Sequence, residues 1–383
     1  MTQENPVYLD NAATTPLAPE VRESMLEALE TFGNPSSTHG FGRHAKILVE
    51  QARKSIANTL HCQPGEIFFT SGGTEADNLA IQSSVRDLGV RTIITSPLEH
   101  HAVLYPIEQL EREGRVQMKM VRNDERGVID LDHLVQLIRE SEAPVLVSLM
   151  HGNNEIGNLL DLDQVGSICK ENQAFFHSDT VQTFGHYEID LSKAKVDFMT
   201  CAAHKFHGPK GIGFLFIRGG IKLKPQIWGG GQERNMRAGT ENLIGIAGLR
   251  SAMETSYSNL PRDKEKVLEL KRYAIDQFLG ALPDLGFNGL SGDLDKSLYT
   301  VINLKFPKNN KTEMLLFMLD IDGIAVSGGS ACNSGSTKGS HVIEAMRQPE
   351  DQDSVSLRVS LSRYNTKEDI DRLVTSLKKI ILT

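Results

Sequence analysis

The stretch His177 to Gly213 reads HSDTVQTFGHYEIDLSKAKVDFMTCAAHKFHGPKGIG, and its reading decides the fold. The apolar run Ala174, Phe175 and Phe176 leads to the carboxylate Asp179, with Gln182 three residues on. After a turn, Val196 to Met199 reads as a second strand, followed by the pair His204 and Lys205. Gly208, Pro209, Lys210 and Gly211 then turn the chain into a third strand, Ile212 to Arg218. A carboxylate and a lysine at the ends of neighbouring strands can converge on one small molecule.

Working outward, the same rhythm extends toward the N-terminus. Apolar runs at Ile67-Phe69, Thr92-Thr95, Val116-Val121 and Val145-Met150 alternate with helical spacing at Glu75 to Leu88, Val103 to Arg112, Leu131 to Arg139 and Leu162 to Glu171. With the runs at Ala174-His177, Val196-Met199 and Ile212-Ile217 they make seven strands. Strands alternating with helices indicate an α/β unit on a mostly parallel sheet. Two helices are expected before it, from Pro16 to Leu29 and from about Arg43 to Leu60; Pro19 suits a first helical turn. Beyond residue 250 the pattern changes to α+β. It has a helix from about Arg262 to Leu282, strands at Leu298 to Phe306, Ile324 to Ser327 and Ser354 to Ser362, and helices at Glu313 to Ile321 and from Lys367. Ser327 to Ser340, SGGSACNSGSTKGS, is the most irregular piece and reads as a flexible loop.

At 383 residues, two domains are expected. The net charge of −8 argues against an electrostatic grip on nucleic acid or on an anionic membrane. No apolar run approaches the roughly 18 residues of a membrane span. The N-terminal MTQENPVYLDNAATTP has no secretory pattern. Cys62, Cys169, Cys201 and Cys332 have no paired spacing, which argues against a disulfide framework or a structural zinc site. A cytoplasmic protein with reduced thiols is expected.

Five strands in succession end in polar groups. Ser71-Gly72-Gly73-Thr74-Glu75 lies between a strand and a helix, where free backbone N–H groups and the helix dipole favour an anion, although a plain capped turn would read alike. Leu98-Glu99-His100-His101, His151 to Gly157, Asp179 with Gln182, and His204-Lys205 repeat that placement, on the side where α/β sheets bind ligands. A phosphate cradle, an amide, a carboxylate and a lysine together suit pyridoxal phosphate. Lysine would form the Schiff base, the carboxylate would pair with the ring nitrogen, and His100 could stack on the ring.

On these residues, together with Tyr8 to Pro16, Phe32 to Ser37, Thr70 to Glu75, Gly208 to Gly213, Gly229 to Arg234 and Arg237 to Asn242, the chain resembles the NifS/IscS-type cysteine desulfurases of the class V aminotransferase family over nearly its whole length. The resemblance implies the type I fold of pyridoxal-phosphate-dependent transferases. Residues 15–255 would form a large α/β domain on a mostly parallel seven-stranded sheet. Residues 1–14 and 256–383 would form a smaller α+β domain carrying the catalytic cysteine loop at about 327–340.

It also implies roles. Gly73 and Thr74 hold the phosphate, as does Thr240 from the other subunit of a homodimer. Asn154 contacts the phenolic oxygen and substrate, with Gln182 nearby. Asp179 binds the ring nitrogen, His100 stacks and serves as an acid or base, and Lys205, beside His204, is the Schiff-base lysine. Arg358 binds the substrate carboxylate, a bidentate task that suits guanidinium. Cys332 takes the sulfur of L-cysteine as a persulfide, leaving L-alanine, and carries it to an acceptor such as an iron–sulfur scaffold or a tRNA-thiolation protein. No intrinsic metal site is implied; Cys332 is at most a transient iron–sulfur ligand.

Two departures stand out. Ala202 replaces the family's phosphate-binding serine, so backbone N–H groups or Thr200 would have to supply that donor. The chain also ends soon after Arg358, where housekeeping relatives carry a longer tail that docks the scaffold. Selenocysteine lyase, cysteine-sulfinate lyase, a same-fold aminotransferase and a non-catalytic assembly subunit are the alternative readings.

Overall fold

The structure, a computed structural model, describes residues 6–328, 339–346 and 354–382. The strands are β1 (Val7–Tyr8), β2 (Ile67–Thr70), β3 (Thr92–Thr95), β4 (Gln117–Met120), β5 (Val145–Ser148), β6 (Phe175–Asp179), β7 (Phe198–Ala202), β8 (Gly213–Ile217), β9 (Gly286–Phe287), β10 (Val301–Pro307), β11 (Ile324–Ala325) and β12 (Ser354–Ser360). The helices are α1 (Pro19–Leu29), α2 (Gly40–Leu60), α3 (Gly73–Asp87), α4 (His101–Arg112), α5 (Leu131–Arg139), α6 (Leu162–Glu171), the single turn α7 (Gln232–Asn235), α8 (Leu243–Ala281), α9 (Leu315–Ile321), α10 (His341–Met346) and α11 (Lys367–Leu382).

All seven apolar runs become strands of one sheet, ordered β2-β8-β7-β6-β5-β3-β4. Only β8 runs against its neighbours, β2 and β7. β2, β3, β5, β6, β7 and β8 are buried at every or nearly every residue, which is why they read as continuous apolar runs rather than as alternating ones. β4, at the edge, is partly exposed. Helix starts follow local chemistry: Asp130 and Asp161 accept backbone N–H groups at the N-termini of α5 and α6, and Pro19 opens α1. Gly213 is needed for close approach, because a Cβ there would strike the Cys201 carbonyl and crowd Gly72. β8 can therefore lie tight against the turn that starts α3.

A second core gathers Val7, Leu9, Leu304, Phe306, Leu357, Val359, Leu373 and the C-terminal half of α8. Its sheet, β12-β10-β9, is antiparallel. Helix α8 joins the two cores: Ile246, Leu249, Ala252 and Met253 pack in the first, and Val267, Leu270, Ala274 and Phe278 in the second. The expected start at Arg262 is corrected, since α8 spans 39 residues and contains Pro261. Its buried stripe continues across that proline through Met253, Leu260 and Val267. The strand expected from Leu298 begins at Val301, because Lys271 Nζ takes the Leu298 carbonyl and Gly157 takes its N–H. Among the described residues, no helix is long and apolar enough to cross a membrane.

Arg53 and Glu233 tie α2 to the segment that leads to Thr240. Their side chains are 2% and 3% exposed and meet through paired bonds of 2.9 and 2.8 Å, and Glu233 also accepts the Phe69 N–H. Replacing one partner strands a buried charge, which costs about 3–5 kcal/mol. Arg53→Met is expected to lose stability of that order in urea unfolding; a loss under about 1 kcal/mol would contradict the role given to this pair.

Candidate active site

The C-terminal ends of β2, β3, β5, β6 and β7 open on one edge of the sheet, and a cavity of about 420 Å³ lies there. It is lined by Gly73, Thr74, His100, Asn154, Asp179, Gln182, Ala202, His204, Lys205 and Arg358. Ten residues expected at the site thus meet in one space. Thr240 does not line it; it is exposed on the segment after α7. Cys332 and most of its loop lie outside the described residues. Both described shoulders of the loop meet site residues. Ser327 exchanges backbone hydrogen bonds with Arg358, and Ser340 donates to Glu155, whose acidity burial weakens.

At the start of α3, Gly73 and Thr74 place backbone N–H groups at the cavity wall, and a Cβ on Gly73 would press on Val181. Asp179, ending β6, accepts the Val181 N–H at 2.8 Å. Burial, and then the nearby Asp77 carboxylate, push Asp179 up to about 7, against the pull of that N–H, His177 and Lys205. Gln182 Nε2 donates to the Ala12 carbonyl at 2.9 Å. Lys205, in a 3-10 turn after β7, donates to the carbonyls of Ala12 and Ala13 at 2.7 and 2.9 Å. Beside it, His204 Nδ1 lies 3.1 Å from Thr14 Oγ1.

His100 caps α4, its Nδ1 accepting the Ala102 N–H at 3.1 Å. In the neutral ring, Nε2 must then carry the proton. From the second core, Arg358 is 1% exposed and reaches across to the Asn154 carbonyl and Asp10 Oδ1, each at 2.9 Å. Among the described residues its Nε–H has no partner. A guanidinium has five N–H donors, so capacity for a carboxylate remains.

Ala202 lines the cavity without a hydroxyl. Thr200 does not replace it: it is fully buried, and its Oγ1 lies 3.2 Å from His177 Nε2. Of the donors expected for a phosphate, the backbone N–H groups at the α3 N-terminus remain at the cavity wall. The described cysteines are poor nucleophiles. Burial pushes Cys62 up to about 12, raises Cys169, and holds Cys201, on β7, well above the usual thiol range.

Asp77 and His341 also line the cavity and were not singled out from sequence. Asp77 could have been, because it lies four residues after Gly73 on the same helix face. His341 arrives from a distant part of the chain and left no local signal, whereas Ala12 and Ala13 fall within the Tyr8 to Pro16 run.

The residues fit pyridoxal phosphate: a helix N-terminus for a dianion, a buried carboxylate for the ring nitrogen, and a lysine, all lining one cavity. The volume also lies in the range of cofactor sites. Among the described residues, no cluster of His, Cys, Asp and Glu is arranged to hold a metal ion.

Burial, and then Lys205, His101 and His341, lower His100 from 6.5 to about 4. Between those values the unfolded chain binds a proton that the folded protein refuses. His100 therefore subtracts stability as pH falls through that window. In histidine-selective nitrogen NMR of the cofactor-free protein, His100 is expected to stay neutral, with the proton on Nε2, at pH 6. Half-protonation near pH 6.5 would contradict the buried environment.

Residues 7–373 match the family model described as aminotransferase class-V. The chain is 42% identical over 378 residues to "Cysteine desulfurase IscS" of Dictyoglomus turgidum, covering 98% of this chain and 94% of that protein. A solved structure described as "NIFS-LIKE PROTEIN" superposes with a TM-score of 0.89 at 35% identity, covering 99% of this chain and 100% of the other. Another, "SspA in complex with cysteine", gives 0.81 at 30% identity, over 94% and 100%. The family is pyridoxal-phosphate dependent, and the sheet order and cavity residues agree with it: this chain belongs to the aminotransferase class-V family.

Proposed function

We propose that this chain is a cysteine desulfurase: it takes L-cysteine to L-alanine and passes the sulfur to Cys332. The observation that carries this reading is the single cavity uniting the α3 N-terminus, Asp179, Lys205 and Arg358. Relatives named as cysteine desulfurases, and one related structure holding cysteine, support the substrate.

When bound, pyridoxal phosphate supplies the electron sink that stabilises negative charge at the amino acid's α-carbon. The N–H groups of Gly73 and Thr74 would hold the phosphate, and Asp179 would take the ring nitrogen. Lys205 would hold the cofactor and, once released, move the α-proton at Nζ. Arg358 orients the substrate carboxylate through its remaining N–H donors. His100, neutral with a proton on Nε2, faces the cavity and can donate toward the departing sulfur side. The Cys332 thiolate attacks the substrate sulfur; the C–S bond breaks, an S–S bond forms, and the electron pair of the C–S bond stays with the carbon fragment.

Delivery to a protein acceptor, such as an iron–sulfur scaffold or a tRNA-thiolation protein, is supported by α9. That helix and the turn before it expose Met314, Leu316, Phe317, Met318 and Ile321. A Cβ on Gly328 would meet Leu316 Cδ1, so this apolar face adjoins the strand end from which the Cys332 segment departs. A homodimer is supported by exposed Phe32, Phe41 and Trp228 and by Thr240, which stands outside its own cavity.

With pyridoxal phosphate bound, the protein is expected to release sulfide and L-alanine from L-cysteine in the presence of a thiol reductant. Cys332→Ser is expected to keep the cofactor's visible absorption and lose sulfide release by about a hundredfold or more. Undiminished release would remove Cys332 from the reaction. Turnover of selenocysteine surviving while cysteine turnover fails would favour the lyase reading.

A further inference from the structure

His341 lines the cavity, yet the proposed reaction gives it no part. It opens α10, whose Val342, Ile343 and Met346 pack on Leu98, just ahead of His100, and on Ile156, just after Asn154. This small apolar core seats the helix on two of the loops that form the cavity wall. Ser340, immediately before α10, donates to the Glu155 carboxyl and accepts the Ile343 N–H, so the helix start is fastened to the second of those loops.

His341 fastens the first. Its Nε2 lies 2.8 Å from the Glu99 carbonyl. A carbonyl only accepts, so Nε2 carries a proton. Among the described residues His341 Nδ1 has no partner, so one hydrogen bond and the ring contacts place this imidazole. The ring packs on His101, with centroids 4.3 Å apart and a tilt of 34°. His101 in turn stacks on Tyr105, one helical turn along α4, at 4.5 Å and 12°. One imidazole thus holds the residue before His100 by its edge and the residue after it by its face.

The other restraints at this point leave a motion open that His341 closes. The Glu99 carboxyl accepts from Ser96 Oγ at 3.0 Å and from the Met150 N–H at 3.1 Å. Those bonds fix residue 99 at its side chain and leave the plane of the following peptide free to turn. His100 Nδ1 accepts the Ala102 N–H, which fixes the ring against the start of α4. That cap does not set the angle at which the helix start meets the cavity. The Glu99 carbonyl belongs to the peptide that joins the two, and among the described residues His341 is its one hydrogen-bond donor.

We propose that His341 is a positioning residue for His100: by bonding the Glu99 carbonyl and packing on His101, it sets the direction in which the His100 imidazole enters the cavity. The inference rests on the acid role given to His100 above. His341 needs no contact with substrate or cofactor to do this. The hydrogen bond is the deciding contact, because it fixes the peptide plane from which His100 departs, and the ring contact steadies it. An acid displaced by about 1 Å loses much of its value, which can reach a hundredfold in rate.

The test uses the full-length protein loaded with pyridoxal phosphate and assayed for sulfide release from L-cysteine. His341→Phe keeps an aromatic face for His101 and has no donor for Glu99. It is expected to lower kcat about tenfold or more, with KM for L-cysteine held within about threefold because Arg358 is untouched. His341→Gln keeps an N–H donor and is expected to recover most of that loss. In a His100→Ala background, His341→Phe is expected to cost less than about twofold, since the group it aims is gone. Histidine-selective nitrogen NMR of the cofactor-free protein gives a readout apart from turnover. His341 is expected to carry a proton on Nε2, and His341→Phe to shift the His100 nitrogen signals. Ser340→Ala loosens the same helix start and is expected to leave those signals in place.

Wild-type kcat in folded His341→Phe overturns the proposal. So does a loss in His341→Gln equal to that in His341→Phe, or a loss that persists undiminished in the His100→Ala background. His100 signals that ignore His341→Phe, or that move equally in Ser340→Ala, overturn it as well. Should His341→Phe fail to fold, the wild type still decides, because a His341 without a proton on Nε2 is incompatible with the proposal. Absence of any L-cysteine turnover in the loaded wild type would instead refute the reading of the reaction and leave the NMR comparison to decide for His341.

Discussion

The site depends on one constraint: a six-residue strap, Asp10 to Thr15, is stitched to both cores at once. On the second-core side, Asn11 donates to the Ser360 carbonyl and to Asn365, the Ala12 N–H goes to Ser360 Oγ, and Asp10 holds Arg358. On the other side, the carbonyls of Ala12 and Ala13 receive Lys205, Ala12 also receives Gln182, and Thr14 and Thr15 bind His204. Arg358, proposed to orient a substrate carboxylate, and Lys205, proposed to move its α-proton, are thus fixed relative to one another by a short run of backbone. Tyr8 tightens the run by donating to the carbonyls of Asp10 and Thr14. Misplacement of catalytic groups by about 1 Å can cost a hundredfold in rate, so a strap this short is a direct route to precision.

The sheet supplies the rest of the geometry. Parallel strands put their C-terminal ends, and the polar residues that follow them, on one edge. A helix N-terminus for an anion, a weakly acidic carboxyl and a lysine therefore share a single space. The thiol is treated differently. Three cysteines are set into hydrophobic surroundings that keep them protonated, while Cys332 is carried between Ser327, paired with Arg358, and Ser340, bonded to Glu155. In the proposed reaction, the first core and its strap would hold the cofactor, and Arg358, brought in from the second core, would place the substrate.

Much of this was legible in the sequence, for identifiable reasons. Strands buried on both faces leave continuous apolar runs, so all seven strands of the main sheet could be placed, and Asp179, Lys205 and the Gly73-Thr74 turn fell at their ends. Helix α8 was expected to start only at about Arg262, after the change of pattern near residue 250, whereas burial on both sides of Pro261 sustains one helix from Leu243. Thr200 was offered as a substitute for the missing hydroxyl of Ala202; pleating turns it instead toward the buried His177. The strap's bonds were beyond local pattern, since most join backbone atoms to side chains roughly 170 to 350 residues away, a separation that leaves no periodicity to read.

The central claim is that Lys205 and Arg358 act in one site whose sulfur leaves on Cys332. Mass spectrometry of peptides from the cofactor-loaded protein, after brief exposure to L-cysteine without reductant, tests it most directly. The account predicts one additional sulfur atom on the peptide containing Cys332 and none on those containing Cys62, Cys169 or Cys201. An unmodified Cys332 peptide alongside full L-alanine formation would contradict it.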